Sequence, residues 1–143
     1  MVPLNSALEE NFKTYLVGLN IPNLENRVCR FIDSGSAEVP CVFVTAPSNG
    51  ETVGTPEGGT YRVPLNVRVV YAAKQVYDDK TAIDTLTQNV EDALEGAQAA
   101  INANSSRTVH IFDIFLKKAP VMLVVENTFQ YSIDLEAVCK KKS

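Results

Sequence analysis

Tryptophan is absent from the 143-residue chain, histidine occurs once, and the three cysteines, Cys29, Cys41 and Cys139, are an odd number at wide spacings. No Cys-x-x-Cys occurs, so neither a redox pair nor a structural zinc site is written in the sequence. Each cysteine sits beside apolar residues (Val28-Cys29, Cys41-Val42, Val138-Cys139) and reads as a small buried hydrophobe of a reducing compartment. Nucleophile motifs such as Gly-x-Ser-x-Gly are missing. Gly58-Gly59-Thr60 lacks the following Gly-Lys-Ser/Thr of a phosphate loop and leads into a strand-like segment. His110 has one nearby carboxylate, Asp113, and the alternation of a regular strand places positions 110 and 113 on opposite faces. Asp78-Asp79 has no regularly spaced ligands around it and reads as a helix cap. The sequence therefore predicts no enzyme, no cofactor and no metal.

Apolar runs long enough to cross a bilayer are also missing, about 18 residues being needed. The N-terminus, Met1-Val2-Pro3-Leu4-Asn5, has no basic segment followed by an apolar one, so the expectation is a cytosolic protein without a secretory signal or membrane contact. Basic residues number 13 against 17 acidic ones, a net charge of −4, and they cluster only at Lys117-Lys118 and Lys140-Lys141-Lys142. General nucleic-acid binding depends on neutralising phosphates, so this balance argues against it. The terminal lysines read as a flexible basic tail over 139–143.

What is present is the composition of a globular domain, with 45% hydrophobic and 21% charged residues. The length suits one domain over 1–143. Leu8, Phe12, Tyr15, Leu16 and Leu19 recur at helical spacing after a Ser6/Glu9 capping box, and Asn20 and Pro22 end the stripe. Residues 28–32 fit either a short strand or a helical extension, and Asp33-Ser34-Gly35-Ser36 marks a turn. Val39 to Thr45 is strand-like. Residues 46–60 are rich in Gly and Pro and almost free of apolar side chains, which predicts a long, exposed, mobile loop.

Tyr61 to Tyr71 alternates, with Tyr61, Val63, Leu65, Val67, Val69 and Tyr71 on one side and Arg62, Pro64, Asn66 and Arg68 on the other. Pro64 predicts an edge position or a bulge. Ile83, Leu86, Val90, Ala93, Leu94, Ala97 and Ile101 keep one helical period over four turns. Thr108 to Leu116 is apolar at nearly every position and reads as a strand that is central or covered on both faces. After Lys117-Lys118-Ala119-Pro120, the pattern from Val121 to Val138 predicts one long strand bent or broken near Glu126-Asn127. The expected fold is α+β: two helices on one face of a mainly antiparallel four-stranded sheet, in the order α-β-β-α-β-β.

With no reactive centre in view, the polar strand faces and the 46–60 loop become the candidate functional surfaces. Arg62, Asn66 and Arg68 on one strand and Glu126, Thr128 and Gln130 on another are the candidate subunit contacts. Charge complementarity between them would fix register. Ser48, Asn49, Gly50, Glu51, Thr52, Thr55 and Glu57 are the candidate partner-binding loop.

The element order resembles the tail terminator (tail completion) proteins of long-tailed bacteriophages. The elements that carry the likeness are an N-terminal helix, a strand, the Gly/Pro-rich loop and the strand Tyr61-Arg62-Val63-Pro64-Leu65-Asn66-Val67-Arg68-Val69-Val70-Tyr71. A helix beginning at Asp78-Asp79-Lys80-Thr81-Ala82-Ile83 and a long closing strand complete it. The resemblance implies a homohexameric ring in the virion neck, assembled in the host cytoplasm, that caps the tail tube protein and meets the head–tail connector. DNA would pass through its acidic lumen without specific binding. A closed ring needs a head-to-tail contact between two different patches, and the two strand faces are the patches expected to supply it. The alternatives are another neck or connector adaptor subunit, or a small cytosolic module that binds a ligand or peptide.

Overall fold

A computed structural model of the chain describes residues 2–24, 26–30, 38–74 and 80–142. Helix α1 (Leu4–Gly18) is followed by strands β1 (Val28–Arg30), β2 (Cys41–Thr45), β3 (Glu51–Thr52) and β4 (Tyr61–Ala72). Helices α2 (Lys80–Glu95) and α3 (Ala97–Ala103) follow, then β5 (Val109–Leu116), β6 (Val121–Val125) and β7 (Thr128–Lys141). The sheet has seven strands in the order β1-β2-β4-β7-β5, with β3 beside β4 and β6 beside β7. β1 and β2 run parallel and every other pair is antiparallel.

The expected two-helix, four-stranded antiparallel sheet is therefore corrected to three helices on a seven-stranded mixed sheet. Three local causes account for the difference. The long helical period breaks at Gly96 into α2 and α3, although Leu94, Ala97 and Ile101 all stay on the core side. The residue 28 segment is a strand, β1. The run 121–138 breaks near Glu126-Asn127 as expected, but the break is a full reversal into a tight hairpin, β6–β7, where Glu126 takes φ 53°.

All three helices pack on one face. Leu8, Phe12 and Leu16 of α1, Ile83, Leu86 and Val90 of α2, and Ala97 and Ile101 of α3 join the inward-facing strand residues in one buried cluster. Those strand residues alternate as expected: Val63, Leu65, Val67 and Val69 of β4 pair with Ala137, Leu135, Ile133 and Tyr131 of β7. Burying a large aliphatic or aromatic side chain from water stabilises by about 1.5–3 kcal/mol, so this alternation fixes the register of the central pair. No helix among the described residues is long and apolar enough to cross a membrane.

β4 is central, not the edge strand that Pro64 predicted. β2 pairs with residues 66–70 and β3 with 61–62, so Pro64 falls in the gap between them and its missing N–H leaves no ladder partner unmatched on that side. The Ser6/Glu9 capping box is not formed. α1 begins at Leu4 behind Pro3, and the Glu9 carboxylate, 7% exposed, instead accepts from Arg30 Nε at 2.8 Å and the Ala46 N–H at 2.7 Å. The basic tail is not free either: Lys140 and Lys141 belong to β7, and the Lys142 N–H donates to the Thr108 carbonyl. The expected cap at Asp78-Asp79 and the turn at Asp33-Ser34-Gly35-Ser36 lie outside the described residues.

Candidate assembly surface

The polar strand residues singled out from the sequence come together, but inside one network rather than on two patches. β4 and β7 are neighbours, so Asn66 faces Asp134, Arg68 faces Ser132 and Val70 faces Gln130. Asn66 Nδ2 donates to Asp134 Oδ1 at 2.7 Å and to Ser132 Oγ at 2.9 Å. Arg68 donates to Asn66 Oδ1 at 3.0 Å and to Gln130 Oε1 at 3.1 Å. Thr128 Oγ1 closes the hairpin turn by donating to the Val125 carbonyl at 2.7 Å. Glu126 occupies the turn itself, and Arg62 lies exposed opposite Glu51.

Pairing within the protomer satisfies most of the groups expected to meet across a subunit boundary, which removes the two-patch arrangement. Lys118 also reaches Asp134 Oδ2 at 3.2 Å. Partial burial acts to raise the Asp134 pKa. The hydrogen bonds from Asn66 and Lys118, with the Lys118 and Arg68 charges, outweigh it and hold the carboxyl below its ordinary value.

The 46–60 segment, expected as one long exposed loop, is exposed over most of its length and carries a short strand and a 3-10 turn. Glu51 and Thr52 form β3 against Tyr61 and Arg62, the Val53 N–H donates to the Thr60 carbonyl, and a 3-10 turn covers Pro56–Gly58. Asn49 Oδ1 accepts the Asn5 N–H, and Ser48 Oγ accepts the Gly50 N–H. Thr55 supplies the carbonyl that the Gly58 N–H reaches, and Glu57 projects to solvent. Gly50 is the pivot. Its φ is +70°, and a Cβ there would lie 2.0 Å from the Arg62 carbonyl oxygen.

A β-bulge corrects the parity argument about His110. Ile111 pairs with Cys139 but Asp113 with Val138, so Phe112 is an extra residue, and His110 and Asp113, opposite Lys140 and Val138, share a face. Asp113 Oδ1 accepts the Ile114 N–H, and the His110 ring meets Phe112 edge-on at 4.8 Å between centroids. Lys140 Nζ lies 5.7 Å from the same Phe112 ring. Among the described residues no group of three or more His, Cys, Asp or Glu could hold a metal ion. Burial pushes the Cys41 thiol up to about 11 and Cys139 up to about 12, with Cys29 half-buried.

The surface that the sequence reading missed is the outer edge formed by β5 and β6. Both strands run antiparallel to β7 on its far side, end to end around Lys117–Pro120, and β7 is their only strand partner among the described residues. Near its start the edge is closed by amide side chains. Asn102 Nδ2 donates to the Ile111 carbonyl at 2.7 Å and Asn102 Oδ1 accepts the Ile111 N–H at 2.8 Å, while Gln98 Nε2 donates to the Phe112 carbonyl at 2.9 Å. Past Phe112 no amide side chain closes it among the described residues, and Asp113 Oδ1 accepts the Ile114 N–H.

The uncovered part is apolar. Phe112, Phe115, Leu116, Val121, Met122, Val124 and Val125 are 39–69% exposed, and they are seven of the ten exposed large hydrophobic residues of the described chain. Scattered exposed apolar residues are ordinary, but this concentration along one open strand edge is the pattern of an interaction surface. The run 109–116 read as a central strand because it is apolar at both parities. That signal fits equally an edge strand whose second cover comes from another molecule.

Beside the edge lies a groove of about 340 Å³. Its apolar lining includes Leu94, Ile114, Phe115, Leu116, Ile133 and Leu135, and Glu91 and Glu95 of α2 stand at its border. Burial and the neighbouring Glu91 carboxylate raise the Tyr131 pKa, so the hydroxyl stays neutral beside the groove. Comparison with protein-family models finds no match to this chain, and comparison with curated proteins finds none either.

Proposed function

We propose that the chain is a structural subunit that assembles with copies of itself, and that it acts as a tail terminator in the neck of a long-tailed phage virion. The observation that carries the self-assembly reading is the open β5–β6 edge with its seven exposed apolar side chains and adjoining groove. A lone soluble subunit would leave that edge wet and prone to pairing with other strands. The terminator assignment rests on the resemblance in element order along nearly the whole sequence, and the capped end of a tail tube is the setting in which a ring of such subunits would work. The β3–β4 hairpin, exposed over residues 50–55, suits contact with the tube or the connector. The acidic balance of the chain, a net charge of −4, suits a lumen through which DNA slides.

Size-exclusion chromatography with light scattering, combined with negative-stain microscopy, tests the reading. The expected species is a closed ring, and Val124→Asp at the most exposed apolar position reduces it to monomer without unfolding it. A wild-type chain that stays monomeric at every attainable concentration, and with assembled tail tubes present, would rule the reading out.

A further inference from the structure

Two regions of opposite charge stand apart on the chain. Along α2, Asp84, Gln88, Glu91 and Glu95 are spaced four, three and four residues and share one stripe. Its last two carboxylates border the apolar groove. At the far end of the sheet β7 finishes with Lys140 and Lys141, Lys142 follows with its Nζ donating to the Asn104 carbonyl at 3.2 Å, and Arg107 is close in sequence to the Thr108 carbonyl that Lys142 engages.

Leu135, in the groove, and Lys141 are six residues apart on one extended strand, about 20 Å. No ion pair joins the basic end to the Glu91/Glu95 border among the described residues.

We infer that the occupant of the groove is a second copy of this chain, which sets its Lys140–Lys142 end against the Glu91/Glu95 border. This rests on the reading of the chain as a self-assembling subunit. The pairing joins different patches of identical molecules, so it can run head-to-tail, and it closes into a ring where the rotation between neighbours closes. The apolar floor supplies the burial, and the charges at its border set orientation and register and steer encounter. Exposed ion pairs alone contribute little. Here the carboxylates flank a surface that loses water on docking, and this strengthens their attraction for the incoming lysines.

The test uses the full chain in sedimentation velocity at low and high salt, with Glu95→Lys, Lys141→Glu and the two combined. The expected result is an oligomer that weakens with salt. Each single reversal should cost about tenfold or more in self-association, and the combined variant should recover most of it. Thermal unfolding midpoints near wild type show that the variants fold, and Lys140→Glu replaces Lys141→Glu if the latter does not. A ring indifferent to salt and to both reversals overturns the inference while leaving self-assembly standing. A strictly monomeric wild type removes the underlying reading and the inference together.

Discussion

Replacing Gly50 by alanine tests whether the 46–60 segment is an ordered part of the sheet. The new Cβ would lie 2.0 Å from the Arg62 carbonyl oxygen and 3.0 Å from the Arg62 carbonyl carbon and Pro64 Cδ. Two of these atoms are backbone in β4, which is held on its other side by a continuous ladder with β7. β4 cannot yield, so the hairpin must. The left-handed backbone, φ +70°, costs a non-glycine residue about 1–2 kcal/mol. Moving the turn away also breaks the Glu51–Arg62 and Thr52–Tyr61 pairs, worth roughly 0.2–1 kcal/mol each.

Loss of the hydrogen bonds they carry adds about 1 kcal/mol. The expected loss is about 2.5–5 kcal/mol in urea unfolding, as the sum of these contributions. Gly54 is the control: its φ is +78°, but a Cβ there meets nothing within 4 Å, so only the backbone cost of about 1–2 kcal/mol applies. The difference between the two variants isolates the clash with Arg62. Equal unfolding midpoints for G50A and G54A would refute the packing of this turn against β4.

Other perturbations follow from the same contacts. Asn102→Ala leaves the Ile111 N–H and carbonyl without their amide partner and should cost about 1–3 kcal/mol. A cost under about 0.5 kcal/mol, the range of ordinary surface changes, would mean that the amide does not close the edge. Native protein treated with a thiol reagent at neutral pH should label Cys29 alone, because Cys41 and Cys139 are buried with thiols raised to about 11 and 12. Mass spectrometry showing rapid modification of Cys139 would contradict that burial. Asp134 has a folded pKa below its ordinary 3.8, so its contribution is present above that pH and is lost as pH falls through the folded value. The stability gap between wild type and Asp134→Asn, measured by thermal unfolding, should shrink on acidification below about pH 4. A gap that is constant with pH would show that the carboxylate charge plays no part in the network.

Much of the local structure was legible in the residues themselves. The alternation from Tyr61 to Tyr71, the stripe of Leu8, Phe12 and Leu16 and the period of Ile83, Leu86 and Val90 each name a buried face, because side-chain direction repeats every 2 or 3.6 residues whatever the neighbours are. The absence of motifs for nucleophiles and metal ligands was equally a property of the sequence. What the pattern does not encode is which strand lies beside which. That β4 adjoins β7 decided that Arg68 and Gln130 satisfy each other instead of meeting another molecule. A single extra residue at Phe112 reversed the face of everything beyond it in β5, a shift invisible to a periodicity that assumes a regular ladder. Because β5 and β6 ended at the rim of the sheet, their two-sided apolar character became exposed surface rather than core. Local periodicity fixes which side of an element is apolar. Only the pairing of distant segments determines whether that side meets the core, a neighbouring strand or water.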